Sequence, residues 1–111
     1  MTKSTPYYAV IFTSIQNEDV SGYAEMAKKM EILAKQQKGF LGIESARNDT
    51  STAISAGIGI TVSYWESLEA IKTWKQHSEH LFAQQKGRTQ WYNWYHVRIC
   101  KVEREYDFRL M

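Results

Sequence analysis

Ten residues near the end of the chain, WYNWYHVRIC at positions 91–100, restrict the fold more than any other stretch. Their aromatic and β-branched content reads as a β-strand. Alternation puts Trp91, Asn93, Tyr95, Val97 and Ile99 on one face, and Tyr92, Trp94, His96, Arg98 and Cys100 on the other. A sheet wetted on one side does not usually spend Trp and Tyr there. Both faces of this strand therefore call for a cover, and the second cover must also accommodate a histidine and an arginine.

The rest of the chain supplies three more strands and two helices. YYAVIFTSI (7–15) is a strand, ended by the polar QNED. Tyr23, Met26, Ala27, Met30, Leu33 and Ala34 then follow the i, i+3, i+4, i+7 spacing of an amphipathic helix. Asp19 or Ser21 marks its start, and Lys35, Lys38 and Gly39 its stop. FLGIESAR (40–47) and IGITVSYW (58–65) are strands around a polar turn, NDTSTAISAG. Ser67 caps the second helix, with Glu66 and Glu69 near its positive end and Leu68, Ile71 and Trp74 on one face. That helix runs on in some broken form to Lys86, where Gly87 ends it, and the last strand extends through KVEREYDF (101–108). The order β-α-β-β-α-β is the ferredoxin-like α+β arrangement: a four-stranded antiparallel sheet with both helices on one face.

Two helices cover one face only. Placing Ile58, Ile60 and Val62 against the helices leaves Gly59, Thr61, Ser63 and Trp65 on the uncovered side. Val97 and Ile99 then also face the helices, and Trp94, His96 and Arg98 the open side. Such a patch exceeds what monomers usually expose. A second copy packed face to face is the physical remedy, so the open face is expected to be a homodimer interface with a pocket in it.

Size and charge remove several alternatives. At 111 residues the chain is one domain, with a core spanning about 7–108. A net charge of +2, with Lys and Arg scattered among acids, argues against nucleic acid. Cys100 stands alone, so no disulfide or thiolate metal site forms within one chain, and in mid-strand it reads as a small buried hydrophobe. No stretch of 18 apolar residues exists, and MTKSTPYYAVIFTSI reads as a first strand rather than a leader, so a cytoplasmic protein without membrane contact is expected. GIG at 57–59 enters a strand without the helix a phosphate loop needs, so neither nucleotide nor flavin is indicated. His77 and His80 are helix neighbours with Glu79 between them; with no third ligand at a fixed spacing, they are polar residues of a helix end or border a pocket.

GFLGIESAR, SYWESLEAIKTWKQHSEH and QQKGRTQWYNWYHVRICKVEREYDF together resemble the antibiotic biosynthesis monooxygenase domain family, over roughly residues 7–108. The resemblance implies a dimeric α+β barrel. It does not fix chemistry, because the fold hosts aromatic monooxygenases without cofactors, quinol oxidases, heme degraders and proteins of no known activity. The heme-degrading branch uses an Asn on the first strand, a Trp on the second helix and an iron-ligating His ten residues later. Trp74 matches, but Ile11 and Gln84 stand at the other two positions. Heme degradation by that route is not expected.

The resemblance makes a cofactor-independent monooxygenase of a small electron-rich aromatic or quinol-type compound the leading function. Its pocket is expected between Phe12, Trp65, Trp74 and Trp94, bordered by His77 and His80. His96 is the candidate base, as histidine is the usual general base of such chemistry, and Arg98 the candidate cation for the substrate anion. Plainer readings stand beside these: the tryptophans as core, and His96 and Arg98 bonded to a carboxylate such as Glu44 or Glu103. Arg88 and Tyr92 either close the pocket mouth or finish the helix. The alternatives are a non-catalytic small-molecule binding module, or a heme-binding protein in which His77 or His80 replaces the missing ligand.

Overall fold

The computed structural model describes residues 5–16, 23–47, 58–85 and 92–110, without the side chains of 82–85 and 92–93. The elements are β1 (Tyr7–Gln16), α1 (Tyr23–Lys35), β2 (Phe40–Arg47), β3 (Ile58–Trp65), α2 (Leu68–Gln85) and β4 (Tyr92–Val102). The sheet order is β2-β3-β1-β4, with every neighbouring pair antiparallel. This is the ferredoxin-like order that the alternation of patterns implied. The expected signals at Asp19, Ser21, Lys86 and Gly87, the turn at 48–57, and Trp91 and Arg88 lie outside the described residues.

Local chemistry sets the ends of the helices. The Ser67 hydroxyl accepts the Ala70 backbone N–H at 3.1 Å, which satisfies one orphan donor of the first turn of α2. α2 then continues unbroken to Gln85. At the other junction Gly39 adopts φ 89°, a left-handed conformation costly to any residue with a Cβ. A Cβ there would stand 2.8 Å from that of Ala70. The bare backbone lets the Gly39 carbonyl accept the Glu66 N–H at 2.8 Å, tying the end of α1 to the start of α2.

The core is Ala34, Trp65 and Ile71, packed by Tyr8, Val10, Phe40, Ala70 and Trp74. Trp65, Tyr8 and Val10 thus face the helices. Paired residues in an antiparallel ladder share a face, so register extends this assignment across the sheet. Phe12 pairs with Thr61 and Val97, and Ser14 with Gly59 and Tyr95, so these also stand on the helix side. Ile11 pairs with Val62 and Arg98, Thr13 with Ile60 and His96, and Ile15 with Ile58 and Trp94; these form the open face.

Strand β3 therefore faces the opposite way from the sequence expectation. Ile58, Ile60 and Val62 look outward, and Trp65, Ser63, Thr61 and Gly59 look to the helices. Size and pairing decide it. Trp65 is 0% exposed, and its indole N–H donates to the Ser63 hydroxyl at 2.9 Å, so the residue that looked solvent-directed is the partner that lets the indole be buried. Val97 and Ile99 do lie on the helix side but are about half exposed, because the packed helices centre on β2 and β3.

β4 also stops short of its expected end. It leaves the sheet after Val102, which pairs with Tyr7, the first residue of β1. Pro6, next along, has no N–H to continue the ladder. Residues 103–110 run on without strand pairing, and their root is held where the Tyr7 hydroxyl donates to Glu105 at 2.8 Å.

Candidate functional site

The helix side of the sheet carries a row of four paired positions, one from each strand: Arg47, Gly59, Ser14 and Tyr95. The row matters because its second member has no side chain. A Cβ on Gly59 would lie 2.8 Å from Nε of Arg47 and closer still to its guanidinium carbon. The arginine can therefore lie flat across β3 and donate from Nη2 to the Ser14 hydroxyl at 2.8 Å. Ser14 is fully buried and Arg47 half-buried. The guanidinium carbon also sits 5.8 Å from the ring centroid of Tyr23, the first residue of α1, in cation–π range.

Beside this row the Phe12 and Tyr95 rings stack, with centroids 5.3 Å apart and planes 21° apart. Further along the same side Trp74 of α2 stacks on Trp65 at 5.7 Å, and Phe40 meets Trp65 edge-on at 5.4 Å. A partly desolvated cation next to a floor of rings suits an electron-rich aromatic with an ionisable oxygen.

The residues expected to share one pocket are divided by the sheet. Phe12, Trp65 and Trp74 stand on the helix side; Trp94, His96 and Arg98 stand on the open face. Trp94 and His96 stack at 6.2 Å, and both they and Arg98 are exposed. Among the described residues neither His96 nor Arg98 pairs with Glu44 or Glu103, so the buried ion pair considered above does not form within the chain. Cys100 is exposed on this face rather than buried, because among the described residues nothing covers it. His77 and His80 are exposed on α2, and Ile11, at the position of the heme branch's Asn, points away from Trp74. Among the described residues no group of three or more His, Cys, Asp or Glu is placed to hold a metal.

As residues of a site, Arg47, Ser14, Tyr23 and Tyr95 escaped the sequence reading, which had placed Tyr23 and Tyr95 only on the faces of their elements. The one available signal was Gly59, since a glycine inside a strand often marks a close approach.

Near Glu105 the open face holds a second hydroxyl cluster. Tyr7 and Tyr64 meet edge-on at 5.9 Å, and Tyr64 donates to Glu44 at 2.8 Å. Burial, and then the bond to Glu105, push the Tyr7 hydroxyl up to about 12; the bond to Glu44, with burial, raises Tyr64. A folded-state value above the unfolded one favours the native state below pH 10 and loses that contribution as pH rises toward about 12. Chemical denaturation across that window is expected to show a fall in stability that Tyr7→Phe reduces. An identical fall in the variant would remove Tyr7 as its source.

A family model described as antibiotic biosynthesis monooxygenase matches residues 6–86. The uncharacterized protein YqjZ of Bacillus subtilis (strain 168) is 49% identical over 108 residues, covering 97% of this chain and 90% of that protein. Among solved structures, a mutant of SnoaB, a cofactor-independent oxygenase from Streptomyces nogalater, superposes with a TM-score of 0.70 at 8% identity, covering 89% of this chain and 95% of its own. PA3566 from Pseudomonas aeruginosa gives 0.65 at 12% identity, covering 95% and 100%. At such identities the structures speak for the fold alone. No described helix is long and apolar enough to cross a membrane.

Proposed function

This chain belongs to the antibiotic biosynthesis monooxygenase family, and from that premise we propose that it is a cofactor-independent monooxygenase of a small, electron-rich aromatic or quinol-type compound. The observation that carries the reading is Arg47, laid across Gly59 onto the buried Ser14 beside the Phe12–Tyr95 stack. The substrate in this proposal lies on the helix side, with its ring against Phe12 and Tyr95 and its phenolic or enolic oxygen toward Arg47.

The chemistry asks little of the protein. A guanidinium beside the bound oxygen favours the anion over the neutral phenol, and partial removal of water strengthens the attraction. Loss of one proton to solvent, from the phenol or from the methylene of its keto tautomer, gives an anion delocalised between oxygen and ring carbon, and that carbon passes one electron to dioxygen. The radical pair joins through carbon and oxygen, the peroxide takes up a proton, and loss of water leaves a carbonyl. A methylene and dioxygen become a carbonyl and water, with every electron supplied by the substrate. A guanidinium has five N–H donors in a planar fork, so one arginine can serve both Ser14 and a substrate oxygen.

His96 and Arg98 are the second candidate pair, on the open face. The test is oxygen uptake by purified protein over hydroquinones, naphthols and anthrones, comparing wild type with Arg47→Gln, Arg98→Gln and His96→Ala. Uptake lost with Arg47→Gln and kept in the other two supports the helix-side site. The reverse pattern moves the chemistry to the open face. Saturable binding of these compounds with no uptake would make the protein a binding module instead.

A further inference from the structure

We propose that Tyr23 is a positioning residue for Arg47: its ring holds the guanidinium down on Gly59 and so aims the charge at the substrate oxygen. The inference rests on the helix-side site of the proposed function and deepens it. Arg47 ends β2 and Tyr23 opens α1, so the contact joins the sheet layer to the helix layer beside the site.

A half-buried arginine at the end of a strand has many rotamers open to it. Three neighbours narrow the choice. Gly59 leaves room: a Cβ there would lie 2.6 Å from Nη2 and 2.8 Å from Nε of Arg47, so the guanidinium occupies the space where a side chain would stand. The Ser14 hydroxyl accepts from Nη2 at 2.8 Å. One hydrogen bond fixes one corner of the planar fork and leaves the plane free to swing about that corner. The Tyr23 ring, with its centroid 5.8 Å from the guanidinium carbon, opposes that swing from the helix layer. The attraction comes from the negative face of the ring and grows where water is partly excluded.

The chemical consequence is directional. The N–H bonds of a guanidinium lie in its plane, and its faces donate nothing. A plane held on Gly59 keeps the donors pointing along the row toward Ser14 and Tyr95, where the substrate oxygen is to lie, rather than out toward solvent. The part played by Tyr23 is indirect: it acts on Arg47, and through the ring rather than the hydroxyl.

Heteronuclear relaxation of the arginine Nε–H groups reads this placement without any substrate. In the wild type the Arg47 signal, identified by its loss in Arg47→Gln, is expected to be as ordered as the backbone, against a mobile signal from the exposed Arg104. Tyr23→Leu, folded by circular dichroism, should bring Arg47 toward the mobility of Arg104, and Tyr23→Phe should restore its order. On a substrate of the oxygen-uptake panel, Tyr23→Leu should lower kcat/KM about tenfold, with Tyr23→Phe recovering most of the loss. The same change made in Arg47→Gln should cost nothing more, since the group being positioned is gone. A mobile Arg47 in the wild type, an Arg47 equally ordered in Tyr23→Leu, or an equal loss from Tyr23→Leu with and without Arg47 would each overturn the proposal. An Arg47 loosened by Tyr23→Leu in a protein that takes up no oxygen would uphold the positioning and remove the oxygenase reading instead.

Discussion

Trp65→Ala is expected to destabilise the fold by about 3–5 kcal/mol, the range for removing a fully buried large aromatic. Trp65 touches every layer of the core. It lies between Phe40 of β2 and Trp74 of α2, within the cluster formed by Ala34 of α1 and Ile71 of α2. Its indole N–H also satisfies the Ser63 hydroxyl, so alanine leaves both a cavity and an unpaired buried oxygen. Domains of this size hold only about 5–15 kcal/mol in all, and the midpoint of thermal unfolding should fall by roughly 15–30 °C. Trp65→Phe keeps most of the volume and isolates the hydroxyl, for a smaller loss of about 1–3 kcal/mol. Urea denaturation gives both values. A cost under about 1 kcal/mol for Trp65→Ala would show that the indole is not what the helices pack upon.

Arg47→Gln is expected to lower kcat/KM about a hundredfold on any substrate that the oxygen-uptake panel identifies, or about 3 kcal/mol of transition-state stabilisation. Glutamine keeps a donor for Ser14 and much of the stem, so the loss isolates the charge. If the charge acts on the developing anion, kcat carries the fall; if it only holds the ground state, KM does. Arg47→Lys should rescue incompletely, because a point charge cannot reproduce the planar fork. Gly59→Ala offers an independent check. The added methyl would meet Nε at 2.8 Å, so the guanidinium must move and activity must drop, although no charge has changed. Full activity in Gly59→Ala would separate the position of Arg47 from catalysis.

Most element bounds were legible because they depend on neighbours along the chain; the end of β4 was not, because it depends on Pro6 across the sheet. Residues 40–47 and 58–65 emerge as strands at the same positions where the structure places β2 and β3. Facing was not legible for IGITVSYW, where both faces have a claim to the core: three β-branched residues on one, a tryptophan among small residues on the other. Register resolves it. Val97 pairs with Phe12, and Phe12 with Thr61, so Val97 and Val62 cannot both look toward the helices. That link is absent from any single strand, and missing it merged residues from opposite sides of the sheet into one pocket. Arg47 was hidden for the same reason: its significance requires positions 47, 59 and 14 to fall in one row.

β1 is the first of the four strands made and the last to have both its edges paired. It lies in the middle of the sheet, between β3 and β4, while the strand order is β2-β3-β1-β4. During synthesis YYAVIFTSI has no ladder partner until residues 58–65 have been added, a wait of several seconds at ribosomal rates of about 5–20 residues per second. Its other edge stays open until β4, Tyr92–Val102, has been added. The sheet therefore closes late and by long-range pairing, which is slow by nature. Through that interval the nascent chain presents one of its most apolar strands with both edges unpaired, and this is the segment for which early chaperone contact matters most.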